Sequence, residues 1–347
     1  MIFVISGLSF IKKDDTRDRH WDRHFYEGYN LLVVLSKKAV YLERAPAKIN
    51  LFLDITDKRE DEYHNIKTVF QAISLEDHLT FEITLSCAES EAERTEEIEF
   101  ELEIDSNEES VRALGLSNLV SRAVECYFAN FPCEDKADLL DLVSSINLSI
   151  FIDKKIPMQA GLGGASADAA ATLRALNTFF FENFDCSLSE NELLKIALQL
   201  GSDVPFCLQS LKQSRVYAES RGEDFKNLTG NFDFDKYSEV ILVKPSFGIA
   251  TAEAYKLLSA RLPSQRAKLG FYNIFETVIF DNYPELVAIK LQLLKIGCDQ
   301  VLLSGSGSTM LGFINKEKNL KTIHGLAKET LPDCSVYQAE FHQSVVT

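Results

Sequence analysis

The chain predicts an α+β fold in two parts, and three observations carry that prediction. Blocks of β-forming residues, one of them with period-two patterning, dominate residues 39–152. Two helices with legible boundaries follow a glycine-rich turn between 157 and 200. From about residue 240 the pattern restarts, and strands and helices alternate over roughly 100 residues in the manner of a split βαβ sandwich. At 347 residues, 46% of them hydrophobic and 25% charged, the chain exceeds one ordinary domain and can bury substantial cores.

Residues 1–11 (MIFVISGLSFI) are apolar, but no basic stretch precedes them and KKDDTRDRHWDRH follows without a small-residue cleavage site. No secretory signal or transit peptide is expected, and residues 1–40 read as an N-terminal extension of unknown role. The first strand block is 39–56 (AVYLERAPAKINLFLDIT), where Pro46 marks an edge or a bend. Blocks 66–84 and 96–105 extend the β-rich half. In the latter, Ile98, Phe100, Leu102 and Ile104 alternate with Glu97, Glu99, Glu101, Glu103 and Asp105, which predicts a half-buried, edge-like strand with a solvated acidic face. Residues 89–109 hold eleven acids against Arg94 alone and so supply ten of the sixteen net negative charges. Leu119, Ala123, Cys126 and Tyr127 have helical spacing after Asn118, and INLSIFI (146–152) gives a strand.

That strand runs into PMQAGLGGASADAA (157–170). Gly161, Gly163 and Gly164 let backbone N–H groups converge on an anion and adopt positive φ, and Ser166 and Asp168 stand where a helix begins. An ordinary loop before a helix would carry the same glycines, and the residues alone leave both readings open. Neither common nucleotide fingerprint is met: Ala167 stands where a Walker loop needs lysine, and Ser166 where GxGxxG needs its third glycine. The spacing predicts a helix from Ala167 to about Phe181, then a capping box at Ser189 and Glu192 for a helix through Leu200, stopped by Gly201. SDVPFCL (202–208) reads as a turn bearing Asp203, with Pro205 preventing a further helix. Beyond 240, strand, helix, helix, two strands around a glycine turn, and a last helix follow in order, with the boundary near 235 in GNFDFDKYS.

Composition excludes several classes. No basic cluster suggests nucleic acid, and no run of about 18 apolar residues suggests a membrane span. The seven cysteines form no CxxC pair and read as buried free thiols of a reducing compartment, and neither they nor the six histidines have zinc-ligand spacing.

The blocks APAKINLFL (45–53), PMQAGLGGASADAA and LLSGSGSTMLGF (302–313) resemble, in order and spacing, the three motifs of the GHMP small-molecule kinases. YHNIKTVFQ (63–71), GSDVPF (201–206) and KPSFGIATAEAY (244–255) resemble the branch of that family acting on a cytidine diphosphate-linked methylerythritol. The resemblance covers residues 41 to about 340. It implies a two-domain GHMP kinase fold, with an N-terminal ATP-binding and catalytic domain at 41–235, like domain 2 of ribosomal protein S5. The C-terminal domain at 236–347 is then a ferredoxin-like split βαβ unit.

The resemblance further implies ATP-dependent phosphorylation of the substrate's 2-hydroxyl by a cytoplasmic enzyme, monomeric or homodimeric, whose partner is that small molecule. Lys48 and Asp203 match the catalytic pair, with Asp203 as base and Lys48 keeping it ionised. Pro157, Met158, Gln159, Ala160, Gly161, Leu162, Gly163, Gly164, Ala165, Ser166 and Ala167 match the ATP loop. Mg2+ should accompany ATP, with few obvious protein ligands, Ser166 as a candidate, and no dedicated metal residues. Tyr63 and Tyr255 match the two faces of a cytosine sandwich, His64 the base edge, and Asn50 and Thr251 the methylerythritol or phosphate. The second glycine turn, Ser304 to Ser308, is expected to buttress the ATP loop. Glu62, Gln159 with Ala160, and Ser220 in AESRGE (218–223) depart from the family pattern, each where relatives carry glycine. A silent sensor and a homoserine- or mevalonate-type kinase are the competing readings; Asp203 beside Lys48 argues against the first, and Tyr63 with His64 against the second.

Overall fold

The computed structural model describes residues 2–4, 36–61, 63–87, 99–131, 143–226, 228, 232–259 and 268–343. Most of the 1–40 extension, the acids at 89–97 and Glu62 therefore lie outside the described residues. The strands are β1 (Ile2–Val4), β2 (Ser36–Lys58), β3 (His64–Cys87), β4 (Glu99–Ser106), β5 (Val143–Asp153), β6 (Arg215–Glu219), β7 (Asp224–Lys226), β8 (Tyr237–Pro245), β9 (Tyr272–Asn273), β10 (Gln300–Leu303), β11 (Met310–Asn315) and β12 (Cys334–Glu340). The helices are α1 (Glu109–Leu114), α2 (Leu119–Ala129), α3 (Gly164–Phe184), α4 (Glu190–Leu200), α5 (Val204–Gln209), α6 (Thr251–Ser259), α7 (Glu276–Asn282), α8 (Pro284–Lys295) and α9 (Leu320–Thr330).

Strands β1 to β7 and β9 form one sheet along the path β1-β4-β5-β3-β2-β9, with β6 joined to β3 and β7 to β6. The remaining strands form an antiparallel sheet ordered β10-β11-β8-β12, and with α6 to α9 between and beside them this is the ferredoxin-like arrangement. Phe81, Leu148 and Ile150 of the first sheet pack on α2 to α5 through Val124, Phe179, Phe180, Leu193 and Val204. Ile241, Val243 and Met310 of the second pack on Leu286, Leu293 and Ile323. A third cluster joins the sheets, taking Ile49, Leu51 and Val69 from one and Leu242, Leu311 and Phe313 from the other.

Pro46 sits beside a register shift of β2 against β3, where its missing N–H leaves no gap in a regular ladder. β4 shows the alternation expected, with Phe100 and Leu102 buried and Glu99, Glu101 and Glu103 exposed. It is not an edge, however: β5 runs parallel on one side, and Ile2–Val4 pairs with Glu101–Glu103 on the other. The pairing partner comes from a segment remote in sequence, so no local pattern announces it.

α3 begins at Gly164 rather than Ala167, with Gly163 as its N-cap, so Asp168 lies inside the helix and is not a cap. The capping box at Ser189 and Glu192 is present. Pro205 does not block a helix; it occupies the first turn of α5, where an N–H would have no intrahelical acceptor. Of Cys126, Cys186, Cys207, Cys298 and Cys334, Cys207 and Cys298 are fully buried and the other three only half-buried. Among the described residues, no helix is long and apolar enough to cross a membrane.

Candidate functional site

A cleft of about 790 Å³ is lined by the glycine loop, the first turn of α3, Lys48 and Asn50 of β2, the Tyr63–His64 turn, Asp203, and Thr251 with Tyr255 of α6. The structure thus brings every expected site residue to one cavity except Ala167, which is buried in the core beneath the loop.

Gly161 and Gly163 have φ of +74° and +71°, conformations that penalise a side chain. Neighbouring protein also excludes one: a Cβ on Gly161 would lie 2.0 Å from the Ser304 carbonyl oxygen, and one on Gly163 2.8 Å from the Lys48 stem. The loop is therefore clamped between β2 and the second glycine turn. Ser304 Oγ donates to the Gly161 carbonyl at 3.1 Å and Thr309 N–H to the Ala160 carbonyl at 3.3 Å, which is the buttress expected of that turn. Lys48 N–H donates to the Leu162 carbonyl at 2.9 Å. Gln159, a non-glycine residue ahead of these glycines, adopts φ +50° as well. Because Gly163 has no side chain, the first-turn N–H groups of α3 have no cap acceptor, leaving the positive end of a 21-residue helix facing the cleft.

Lys48 Nζ lies 3.1 Å from Asp203 Oδ2, with side-chain exposures of 6% and 33%. The ammonium also donates to Asn50 Oδ1 at 2.9 Å, and Asn50 Nδ2 to Thr68 Oγ1 at 2.8 Å, so Asn50 reaches the site as part of a buried chain. Asp203 is the N-cap residue of α5, yet its side chain makes no capping bond. The carboxylate is spent on Lys48 and the cleft instead.

At the other end, the His64 and Tyr255 rings lie 4.9 Å apart, and His64 Nε2 is 3.4 Å from Ser259 Oγ. Burial, with the Asp203 charge adding to it, pushes the Tyr255 hydroxyl far above its ordinary range, so it stays protonated. Tyr63 is 48% exposed and carries the Arg221 guanidinium 3.6 Å from its ring centre. Thr251 Oγ1 stands 3.2 Å from Ser306 Oγ of the second glycine turn.

A buried ion cluster, absent from the sequence expectations, lies under the loop. Lys154 Nζ contacts Asp77 Oδ2 at 2.5 Å and Asp168 Oδ2 at 2.6 Å, and Asp77 Oδ1 accepts from the N–H groups of Lys155 and Ile156. Burial works to lower the Lys154 pKa, but the two carboxylates outweigh it and hold the ammonium above its usual value. Burial raises the Asp168 carboxyl to about 7, with Lys154 opposing and Asp77 assisting. The cluster ties β3 to both ends of the glycine loop. Lys154 sits in the polar KK before Ile156, a weak signal; the pairing of 77 with 154 and 168 has none.

Residues 118–210 match the model of the GHMP kinases N terminal domain, and fold and site together define a GHMP kinase, a class that uses ATP. Solved structures agree at the level of fold. A 4-(cytidine 5'-diphospho)-2C-methyl-D-erythritol kinase superposes with a TM-score of 0.62 at 24% identity, covering 87% of this chain and 100% of that one. The mevalonate kinase of Methanococcus jannaschii does so with a TM-score of 0.56 at 16% identity, covering 88% and 99%. In sequence, the 4-diphosphocytidyl-2-C-methyl-D-erythritol kinase of Bacillus subtilis is 33% identical over 301 residues, 82% of this chain and 91% of that protein. The corresponding kinase of Desulfitobacterium hafniense is 35% identical over 303 residues, with the same coverage. The chain belongs to the family of 4-diphosphocytidyl-2-C-methyl-D-erythritol kinases.

Proposed function

We propose that the chain transfers a phosphoryl group from ATP to the 2-hydroxyl of 4-diphosphocytidyl-2-C-methyl-D-erythritol, a step of non-mevalonate isoprenoid precursor synthesis. The observation that carries this reading is the Lys48–Asp203 pair, whose carboxylate is withheld from capping its own helix and opens on the same cleft as the glycine loop. In this role Asp203 accepts the proton of the substrate hydroxyl, while Lys48 keeps the carboxylate ionised and offsets charge developing on the transferred group. The loop from Pro157 to Ala167 and the first-turn N–H groups of α3 hold the nucleotide phosphates. Tyr63, His64 and Tyr255 take the cytosine, where stacking contributes about 1–3 kcal/mol per base. Asn50 and Thr251 orient the methylerythritol or its phosphate.

The cleft suits Mg2+ carried on ATP. Among the described residues no three His, Cys, Asp or Glu side chains stand together to cage an ion, and Mg2+ ordinarily keeps phosphate oxygens and waters as ligands. Ser166 would be a protein donor, and the ion would supply charge neutralisation to the phosphates.

A coupled ADP-release assay over a panel of alcohols tests the reading. Turnover is expected with the cytidyl substrate and not with homoserine or mevalonate, and the reverse would sink the assignment while sparing the class. Asp203→Asn is expected to lower kcat by about 10²–10⁴-fold with ATP affinity nearly unchanged. A variant retaining full activity would show that another group takes the proton.

A further inference from the structure

We propose that Arg221 is a substrate-binding residue whose guanidinium takes the diphosphate of the cytidine diphosphate-linked substrate, with the Tyr63 ring as the shelf that holds it; this rests on the reaction proposed above. Arg221 lines the cleft, its guanidinium carbon stands 3.6 Å from the Tyr63 ring centre, and its Nε is buried without a hydrogen-bond partner. A charged donor shut away from water is unfavourable until an acceptor reaches it. Its neighbour Arg59 has what Arg221 lacks, donating to the Asp61 carboxylate at 3.1 Å and to Asn65 Oδ1 at 3.1 Å. The nearby Glu223 is committed elsewhere, accepting from Ser220 Oγ and from the Arg221 backbone N–H. Among the described residues, no carboxylate stands within ion-pair distance of the Arg221 side chain, although its charge, after the Arg59 hydrogen bond and the Tyr63 N–H, helps hold the Asp61 carboxyl below its ordinary value.

The turn that carries Arg221 is built to aim it. Ser220 holds φ +65°, and its Oγ is fixed between Arg59 and Glu223. Gly222 comes so close to the chain before Asp203 that a Cβ there would be 3.3 Å from the Ser202 carbonyl oxygen. Arg221 therefore stands between the aromatic end of the cleft and the Lys48–Asp203 end. With cytosine at the first and the acceptor hydroxyl at the second, the part of that substrate lying between them is its diphosphate. A planar guanidinium offers paired N–H donors that match two phosphate oxygens, and stacking on Tyr63 fixes its plane in advance.

Calorimetric titration of the full chain with CDP, cytidine and ATP, for the parent, Arg221→Met and Arg221→Lys, tests the assignment. Arg221→Met is expected to weaken CDP about tenfold to a hundredfold, while cytidine and ATP change less than threefold, and Arg221→Lys should recover part of the loss. Unchanged CDP affinity in Arg221→Met overturns the proposal. Equal weakening of CDP and cytidine also overturns it, because the guanidinium would then serve the base. A parent protein that binds ATP but neither CDP nor cytidine overturns the substrate reading itself, and this assignment with it.

Discussion

Asp168 keeps one oxygen on the Lys154 ammonium and the other, buried, without a partner. Its carboxyl, raised to about 7 chiefly by burial, holds a proton in the folded protein at pH values where the unfolded chain has released it. Asp168 thus favours the folded state fully below its unfolded pKa of 3.8, and that contribution is lost as pH rises to about 7. Asp168→Asn removes the dependence. Its stability relative to the parent should therefore rise between pH 5 and pH 8, by about 1–3 kcal/mol, in urea titrations at each pH; a flat difference would mean that the carboxylate stays ionised throughout. Lys48, Asp203 and the loop glycines are legible in the sequence because each falls in a dense local motif, and the cleft gathers them. Asp168 is misread, because its nearness to the glycines suggests a cap when the helix already begins at Gly164. Arg221 goes unnoticed because nothing local reveals that its turn lies against the chain before Asp203.

Elements are legible where they carry their own signals and obscure where another element makes them. α4 announces itself, with Ser189 and Glu192 exchanging side-chain and backbone hydrogen bonds before a run that buries Leu193, Ile196, Ala197 and Leu200. Ser189→Ala leaves a first-turn N–H unpaired and should lower stability by about 1 kcal/mol, read from the shift of the denaturation midpoint; Ser189→Asp should recover most of it. A Ser189→Ala variant as stable as the parent would show that solvent replaces the cap without loss. α5 is hidden by an ambiguity of proline, which ends a helix from within but fits its first turn, and Pro205 stands in the first turn. β12 buries only Ala339 fully and its alternation breaks phase at Tyr337, and it is a strand because β8 pairs along it from Cys334 to Glu340. β9, two residues long, exists by pairing with Phe52 and Leu53, and α7 follows it too closely to stand out.

At the scale of the molecule, the cluster between the sheets decides how the parts answer one another. Phe313 is fully buried in β11, with the Phe271 ring 4.7 Å away, and shares its cluster with Ile49 and Val69 of the first sheet. Ala160 and Leu162 of the glycine loop belong to that same cluster, so the loop's floor is made of residues whose packing depends on both sheets. The two sheets are therefore expected to unfold together, in one transition seen alike by far-ultraviolet and tyrosine probes. ATP at a hundred times its Kd should raise that transition as a unit, by about 2.7 kcal/mol. Phe313→Ala opens a cavity in the shared core and should cost about 3–5 kcal/mol. Because the loop rests on that core, the substitution should also weaken ATP binding, although Phe313 itself is buried away from the cleft. Two resolved transitions, with ATP shifting one and Phe313→Ala the other, would show that the sheets are energetically separate and that the loop belongs to only one of them.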